Sequence, residues 1–356
     1  MTRLLTAVLL AATVAGAAAQ SAPQNAVVRL DPSLDALIPA SAKADLLKGD
    51  YFGATEGPVW VDEGRNGYLL FSDMAANTIY KWMPGGQLSV FLDKSGYTGN
   101  DINNVGGQYT NGRLHLLNIG SNGLTLDREG RLIIAGMTDR NITRLEKDGS
   151  RTTLADTYEG KRLNSPNDLV VKSDGAIYFT ETTSGMRGRD ESPARELPFH
   201  GVYLITHPST PLGARGELRL LEKDPQGVAP NGIAFSPDEK ILYVNGGLKI
   251  NAYDVLPDDT IANPRVLIDM SGANTPGNTD GMKVDRNGNI YCSGPGGVWI
   301  VSPQGKHLGT IVTPDRVANL AFGDADSRTL YMVGGRSLWR IRTNIPGIRP
   351  MTKEKR

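Results

Sequence analysis

The stretch Asn231-Gly232-Ile233-Ala234-Phe235 has five counterparts in the chain, each with a polar residue, usually followed by glycine, ahead of an alternating apolar strand. The counterparts are Glu56-Gly57-Pro58-Val59-Trp60, Asn122-Gly123-Leu124-Thr125-Leu126, Asn167-Asp168-Leu169-Val170-Val171, Asp280-Gly281-Met282-Lys283-Val284 and, one place out of step, Asn319-Leu320-Ala321-Phe322. A feature that returns at the same structural place indicates a ring of repeated strand units, and such rings are β-propellers.

Each unit continues after its opening strand with a turn rich in Asp, Asn and Gly, which suits a hairpin. Second strands are predicted at 131–135, 176–180, 240–245, 289–293 and 329–333. Third strands are predicted at 141–145, 201–205, 297–301 and 337–341, and several units end in a fourth, as at 151–155. Four short antiparallel strands make one blade, so we predict an all-β chain with six blades. A β-sandwich is the alternative, but it does not explain the recurring polar residue.

The chain divides into four parts. Residues 1–19 begin Met1-Thr2-Arg3, continue with a short apolar run and end Ala17-Ala18-Ala19, which is typical of a cleaved signal peptide. A membrane anchor is the alternative, but the run is short for a bilayer, so we expect no stable membrane insertion and a secreted or periplasmic protein. Residues 20–50 are predicted to close the last blade through 44–48. The propeller takes residues 51–345, and 346–356 form a tail.

Composition agrees with this division. The 42 glycines and 21 prolines suit many tight turns. Lysine plus arginine equals aspartate plus glutamate at 38 each, which argues against a nucleic-acid partner. The single cysteine, Cys292, excludes an internal disulfide and is predicted to be a small buried hydrophobe. Two polar stretches without a strand period, 184–200 and 96–112, are predicted to be long loops that cover the mouth of the channel.

The polar residues that open the blades predict a metal site. If they start the innermost strands, Glu56, Asn167, Asn231 and Asp280 point into one central channel. Two carboxylates with two amide oxygens are the ligands that a hard cation takes, Ca²⁺ first. Mg²⁺, Mn²⁺ and Zn²⁺ stay open as alternatives, although the histidines show no paired spacing for zinc. A single Asn-Gly or Asp-Gly is usually only a turn, but a set at equivalent positions in a ring is not explained that way.

Other candidate site residues have two readings each. Asn122 shares the ring position and is predicted to line the channel, either as a residue that supports the metal ligands from behind or as a substrate contact. Asp168 is either a base near the ion or a structural acceptor for backbone N–H groups. Arg162 is either a substrate-binding residue or a solvated surface arginine.

The sequence has no Gly-x-Ser-x-Gly elbow, P-loop or dinucleotide fingerprint. Asn141-Ile142-Thr143 is a glycosylation sequon that matters only in a eukaryotic source.

The chain resembles the gluconolactonase and regucalcin (senescence marker protein) family. The motifs that carry the resemblance are Thr55-Glu56-Gly57-Pro58-Val59-Trp60, Leu163-Asn164-Ser165-Pro166-Asn167-Asp168, Ala229-Pro230-Asn231-Gly232-Ile233-Ala234-Phe235 and Thr279-Asp280-Gly281-Met282-Lys283-Val284-Asp285. The resemblance implies a six-bladed propeller with one channel metal held by Glu56, Asn167, Asn231 and Asp280. It also implies hydrolysis of sugar lactones with a divalent cation.

Two stretches depart from the family pattern. Ala135-Gly136-Met137 stands where bacterial gluconolactonases typically carry Cys-Glu-His, and Glu181-Thr182-Thr183-Ser184-Gly185 stands where the family reads Asp-Pro-Pro-Tyr-Gly. Both are expected to border the active-site mouth, which puts gluconolactone as the natural substrate in doubt.

The predicted function is a metal-dependent hydrolase, a lactonase that acts on a small-molecule lactone or related ester, with Asp280 or Asp168 as the base. The alternatives are phosphotriester hydrolysis, a step on a non-sugar substrate, or a non-catalytic calcium-binding propeller.

Overall fold

The structure is a computed structural model, which describes residues 26–63, 67–103, 105–110, 115–206 and 216–352. The predicted signal peptide, residues 1–19, lies outside the described residues. Within the described ranges, helical structure is confined to one short α-helix, Leu34–Leu37, and the 3₁₀ turns Arg189–Glu191 and Pro225–Gly227. Among the described residues, no helix is long and apolar enough to cross a membrane.

Six antiparallel sheets form the body of the molecule, and they follow one another along the chain. In blade 1 the strands are Thr55–Val61, Tyr68–Asp73, Thr78–Trp82 and Leu88–Asp93, and in blade 2 they are Leu124–Leu126, Leu132–Gly136, Asn141–Leu145 and Arg151–Ala155. Blade 3 contains Ser165–Val171, Ile177–Thr182, Gly201–Ile205 and Leu218–Lys223, and blade 4 contains Ile233–Phe235, Ile241–Gly246, Lys249–Val255 and Ile261–Asp269. Blade 5 contains Met282–Val284, Ile290–Gly294, Gly297–Val301 and His307–Ile311, and blade 6 contains Asn319–Gly323, Thr329–Gly334 and Ser337–Arg342. The predicted six-bladed β-propeller is confirmed.

The N-terminal segment completes two blades. Asp45–Lys48 pairs antiparallel with Ser337–Arg342 and supplies the outer strand of blade 6. Val27–Arg29 pairs antiparallel with His307–Ile311 and adds a fifth strand to blade 5. Between these strands, Leu34, Leu37 and Ile38 are buried among the side chains of blades 5 and 6. The ring is therefore closed by pairing between the two ends of the chain, which covers an edge that would otherwise be bare.

Two short hairpins stand outside the blades. One joins Gly107–Thr110 to His115–Asn118, and the other joins Thr157–Tyr158 to Lys161–Arg162. The expectation of a loop over 96–112 is therefore wrong in part, because Gly107–Thr110 forms a ladder with His115–Asn118. The other predicted loop, 184–200, contains no strand and only the turn Arg189–Glu191.

The core lies between neighbouring blades, where large aromatic side chains meet. Trp60 of blade 1 stacks on Tyr331 of blade 6, with ring centroids 5.6 Å apart. Tyr178 of blade 3 meets Phe235 of blade 4 edge to face at 4.9 Å. Cys292 is fully buried in the cluster between blades 4 and 5, as the sequence predicted, and burial raises the pKa of its thiol to about 12. Neighbouring blades thus pack face to face, and the apolar side chains between them form the core of the ring.

The C-terminal residues 346–352 lie across the ends of three blades. Ile348 N donates to Val284 O of blade 5 at 2.9 Å. Arg349 donates to Asp62 Oδ1, just after the first strand of blade 1, at 2.8 Å and to Asp324 O, just after the first strand of blade 6, at 3.1 Å. This described part of the tail therefore ties blade 5 to blade 1, across the seam of the ring.

Candidate active site

Six residues, one from each blade, line a single pocket on the propeller axis. They occupy the place just before or at the start of each innermost strand and are Glu56, Asn122, Asn167, Asn231, Asp280 and Ala318. The pocket has a volume of about 450 Å³. The four predicted metal ligands and Asn122 are therefore brought together. The sixth position is Ala318, and Asn319 is the residue after it.

Local irregularities of the strands direct these side chains to the axis. In blade 1 the pairing register shifts between Glu56 and Val59, and in blade 3 it shifts between Pro166 and Leu169. Such a bulge bends a strand and re-aims the side chains beside it. In blades 2, 4 and 5 the lining residue instead stands two places ahead of the strand, as Asp280 does before Met282–Val284.

A second layer lies directly below the first and explains the out-of-step repeat. At the next sequence position blades 3 and 6 carry Asp168 and Asn319, and the other four blades carry Gly57, Gly123, Gly232 and Gly281. A Cβ on Gly123 would lie 2.8 Å from Asp168 Oδ1, and one on Gly281 would lie 2.0 Å from Asn319 Cγ. Glycine at these places therefore leaves the axis to the side chains of Asp168 and Asn319.

Asp168 and Asn319 form the floor, which is the layer of side chains beneath the residues that line the pocket. Asn319 Nδ2 donates to Glu56 Oε2 at 3.0 Å and to Asp168 Oδ2 at 3.3 Å. The other Asp168 oxygen accepts a hydrogen bond from Leu169 N at 2.9 Å. Asp168 is buried, 2% exposed, and is not one of the residues that line the pocket. This geometry agrees with the reading of Asp168 as a structural acceptor.

The amides of the upper layer bond to one another in a row. Asn122 Nδ2 donates to Asn167 Oδ1 at 2.6 Å, and Asn167 Nδ2 donates to Asn231 Oδ1 at 3.0 Å. Asn231 in turn hydrogen-bonds Asp280. The side-chain oxygen of Asn122, Oδ1, is buried and has no hydrogen-bond partner within the described part of the chain. Several oxygen atoms thus meet in one place, and one of them is unsatisfied.

The pocket brings buried carboxylates close together, which makes their ionised forms unfavourable. Burial raises the pKa of Glu56 well above its usual value, and the charges of Asp280 and Asp168 raise it further. Burial also raises the pKa of Asp280, although the guanidinium of Arg316, 2.5 Å from Asp280 Oδ2, opposes the shift. The pocket therefore favours a positive charge near Glu56 and Asp280.

The side chains present suit a hard divalent cation. Across the described ranges, no three His, Cys, Asp or Glu side chains are grouped so that they could hold a metal ion. The candidate donors are instead two carboxylates, Glu56 and Asp280, with two amides, Asn167 and Asn231. Such a set has only oxygen ligands and nearly balances a charge of two, as calcium sites do. The unsatisfied oxygen of Asn122 lies beside them.

The mouth of the pocket has one polar wall and one apolar wall. The polar wall comes from blade 3, from the end of its second strand and the loop that leads to its third strand, with Thr182, Thr183, Ser184, Arg189, Asp190 and His200. The apolar wall contains Ala54, Met74 and Met137. Both stretches that depart from the family pattern therefore lie at the pocket, in Met137 and in Thr182 to Ser184.

Sequence reasoning missed Arg316, Asp190 and His200. Arg316 stands two residues ahead of Ala318, so aligning the sixth repeat on Ala318 would have drawn attention to it. Asp190 and His200 lie in the loop that was expected to cover the channel, but nothing periodic in that loop distinguishes them from its other polar residues.

Arg162 is not brought to the site. It lies in the exposed hairpin strand Lys161–Arg162, where its guanidinium donates to Asp139 O at 2.9 Å and its backbone N–H donates to Glu196 Oε2 at 2.8 Å. It is not among the residues that line the pocket. The structure therefore gives Arg162 the position of a surface arginine.

Comparison with known proteins agrees with this geometry. The family model described as SMP-30/Gluconolactonase/LRE-like region matches residues 54–336. A gluconolactonase of Zymomonas mobilis is 33% identical over 359 residues, which cover 94% of this chain and 93% of that relative. The structure of a gluconolactonase from Xanthomonas campestris is 30% identical with a TM-score of 0.71, and the match covers 89% of this chain and 94% of that chain.

Regucalcin from Agrobacterium tumefaciens shares the fold at 17% identity, with a TM-score of 0.63 over 86% of this chain and 96% of that chain. The resemblance seen in the sequence motifs is confirmed by the whole-chain matches. The chain belongs to the SMP-30/gluconolactonase/LRE-like family.

Proposed function

We propose that this protein is a lactonase that opens the ring of a small-molecule lactone with the help of one divalent cation, Ca²⁺ in the first place. The observation that carries the proposal is the convergence of Glu56, Asp280, Asn167 and Asn231 in one axial pocket. Family membership and the 33% identity to a gluconolactonase over nearly the whole chain supply the reaction class.

Glu56, Asn167, Asn231 and Asp280 would hold the cation through their side-chain oxygens. A bound divalent cation supplies charge that polarises a carbonyl group and lowers the pKa of water. The raised pKa values of Glu56 and Asp280 also support a cation at this place. Both carboxylates are costly to ionise in the empty pocket, and a bound cation would favour their ionised form. Asn319 keeps Glu56 in place from below by its hydrogen bond to Oε2.

Asp280 is the better placed of the two candidate bases. It lines the pocket, whereas Asp168 lies in the floor and accepts hydrogen bonds from Leu169 N and Asn319. Arg316 holds Asp280 Oδ2 at 2.5 Å and fixes the direction of the carboxylate. We therefore assign to Asp280 the acceptance of a proton from the attacking water, and to Asp168 the support of the floor.

A non-sugar ester is the second candidate substrate. Met137 is almost fully buried beside the ring, and its Sδ lies 3.8 Å from Asn122 Nδ2. With Met74 and Ala54 it gives the pocket an apolar wall that would accept a less hydroxylated substrate. We also propose export of the protein, on the basis of the signal-peptide pattern in residues 1–19.

The test is a substrate screen on chelator-treated protein, repeated after Ca²⁺, Mg²⁺, Mn²⁺ or Zn²⁺ is restored. The screen contains δ-gluconolactone, δ-valerolactone and a chromogenic phosphotriester. We expect lactone hydrolysis that is lost with chelator and restored best by Ca²⁺. Turnover that is indifferent to chelator would contradict the metal dependence. Hydrolysis of the phosphotriester alone would replace the lactonase by the alternative hydrolase.

A further inference from the structure

The loop between the second and third strands of blade 3 carries a carboxylate whose two oxygens have different surroundings. Asp190 Oδ1 accepts a hydrogen bond from Thr183 Oγ1 at 2.9 Å and lies 2.9 Å from His200 Nε2. Arg195 Nη1 is 3.2 Å from the same oxygen. Asp190 Oδ2 has no hydrogen-bond or ion-pair partner among the described residues. One oxygen is therefore fixed by the protein, and the other is left available at the mouth of the pocket.

The surrounding groups keep Asp190 ionised. Its partial burial acts to raise the pKa, but the hydrogen bond from Thr183 and the charges of His200 and Arg195 outweigh that effect, and the pKa is lowered. An ionised carboxylate only accepts hydrogen bonds. The available oxygen is thus matched to a donor such as a hydroxyl group.

His200 holds Asp190 and has no ring nitrogen left for the pocket. Its Nε2 faces Asp190 Oδ1, and its Nδ1 lies 3.5 Å from Asp224 Oδ1. Its backbone N–H also donates to Asp224 Oδ1 at 2.9 Å. With both ring nitrogens directed at carboxylates, His200 is a positioning residue for Asp190.

The backbone of the loop is strained next to Asp190. Gly188 has a φ of 79°, and Arg189 follows with a φ of 51°, the left-handed region that side chains other than glycine rarely adopt. Glycine adopts such a φ without cost, whereas the conformation of Arg189 persists because surrounding contacts enforce it. The strained turn places Asp190 on the wall of the same pocket that the ring residues line.

We propose that Asp190 is a specificity residue whose Oδ2 accepts a hydrogen bond from a hydroxyl group of the substrate, with Thr183, His200 and Arg195 holding it in place. The inference rests on the proposed lactonase function and deepens it. Because Asp190 and the ring residues line one pocket, a lactone whose carbonyl group lies at the ring would place a hydroxyl at the blade 3 loop under this proposal. Because an acceptor that loses its donor in the complex is penalised, the pocket discriminates against lactones without that hydroxyl.

The test compares Asp190→Asn with the wild type on two lactones. The variant keeps an acceptor for Thr183 and His200 but replaces the available oxygen by an amide group. We expect KM for δ-gluconolactone to rise on the order of 10- to 100-fold with kcat nearly unchanged, and the kinetics on δ-valerolactone, which has no hydroxyl, to stay within about twofold. Glu191→Gln, at the exposed neighbouring residue, is the matched control and leaves both substrates unaffected.

A second measurement does not need turnover. Binding of 1,5-anhydroglucitol, a polyhydroxylated ring without a carbonyl group, is measured by calorimetry, and Asp190→Asn is expected to weaken it to the same degree as it raises KM. His200→Gln, which retains a donor toward Asp190, should resemble the wild type, whereas His200→Leu should resemble Asp190→Asn.

Equal loss on both lactones, or unchanged binding of the polyol, would overturn the role of Asp190. A wild type that binds the polyol through Asp190 but opens neither lactone would instead refute the proposed reaction.

Discussion

At the scale of single residues, the pocket brings together carboxylates that repel one another. Glu56, Asp280 and Asp168 come from blades 1, 5 and 3, and the first two have raised pKa values because of burial and mutual repulsion. The positive charge of Arg316 offsets part of the negative charge of Asp280. An arrangement that is unfavourable by itself and favourable with a cation is typical of a binding site.

Replacement of Asp280 tests the proposed ligand and base together. Asp280→Asn removes a charge and keeps the shape, so we expect Ca²⁺ affinity to fall by at least about 100-fold and lactone turnover to be lost. Calorimetry with Ca²⁺ and steady-state kinetics measure the two effects. Asp148→Asn, in the exposed turn between the last strands of blade 2, serves as the control. Unchanged turnover in Asp280→Asn would end the metal-hydrolase proposal.

Replacement of Glu56 tests the electrostatics without any substrate. Because the pKa of Glu56 is raised in the folded state, the folded protein keeps a proton that the unfolded chain loses above about pH 4.5. Stability of the metal-free protein therefore falls as pH rises from about 4.5 to the raised pKa of Glu56, by up to about 1.4 kcal/mol per pH unit for this group. Glu56→Gln should remove that part of the slope.

Urea unfolding with chelator, at a series of pH values above 4.5, measures the difference between wild type and Glu56→Gln. Glu181, whose pKa burial raises to about 8, titrates in both proteins and cancels in the comparison. Glu63→Gln, at an exposed position, should keep the wild-type slope. Identical slopes for Glu56→Gln and wild type would show that Glu56 is not the protonated group.

At the scale of the element, the start of each inner strand sets both layers of the pocket. The residue that lines the pocket is followed by glycine in four blades, and in the other two it is followed by Asp168 and Asn319. Much of this could be predicted, because the repeated polar residue and the strand pattern lie in the same short stretch. The exact register of blade 6 could not, since Ala318 carries no polar group to mark it.

The loops were less predictable than the strands for a physical reason. Alternation of apolar residues reports which side of a strand is buried, so the blades follow from it. The path of the loop after Ser184 depends on side-chain contacts such as that of Asp190 with His200, and no repeating pattern in the sequence reports such contacts. For Arg162 the sequence left a substrate-binding residue and a surface arginine open, because no strand period runs through its motif, and the residue lies in an exposed hairpin strand.

The glycine layer can be tested by adding one methyl group. In Gly281→Ala the Cβ would lie 2.0 Å from Asn319 Cγ, so Asn319 must leave the floor and give up its bonds to Glu56 and Asp168. We expect a loss of about 2–3 kcal/mol in the free energy of unfolding, together with weaker Ca²⁺ binding. Gly85→Ala, whose Cβ would have no atom within 4 Å, should change stability by less than about 0.5 kcal/mol. Equal effects would contradict the packing argument.

At the scale of the whole molecule, the closure of the ring depends on the two terminal segments of the chain. Asp45–Lys48 completes blade 6, and residues 346–352 cross the seam through Arg349 and Ile348. The outer strand from residues 44–48 was inferred from the need to leave no bare edge, and the structure places Asp45–Lys48 there. The sequence offered no sign of the second tie, because it depends on backbone hydrogen bonds, on the contacts of Arg349 and on the packing of Ile348, none of which follows a strand period.

Truncation separates the two N-terminal strands. A chain that starts at Gly49 lacks the outer strand of blade 6 and the buried side chains of Leu34, Leu37 and Ile38. We expect its unfolding temperature to fall by at least about 10 °C, because three buried apolar side chains are lost with the strand. A chain that starts at Asp31 loses only the fifth strand of blade 5 and should fall much less. Calorimetry measures the unfolding temperature of both truncated chains. Equal unfolding temperatures would show that the outer strand of blade 6 does not stabilise the ring.

The pairing of Asp45 with Arg340 joins residues that leave the ribosome at opposite ends of synthesis. Blade 6 cannot assemble until the last strands of the chain have appeared, so a nascent chain holds five blades with two unpaired borders. Contacts of such sequence separation form slowly, and until they form the borders are open to other chains. If the protein is exported, the ring can close only after both ends of the chain have reached the same side of the membrane.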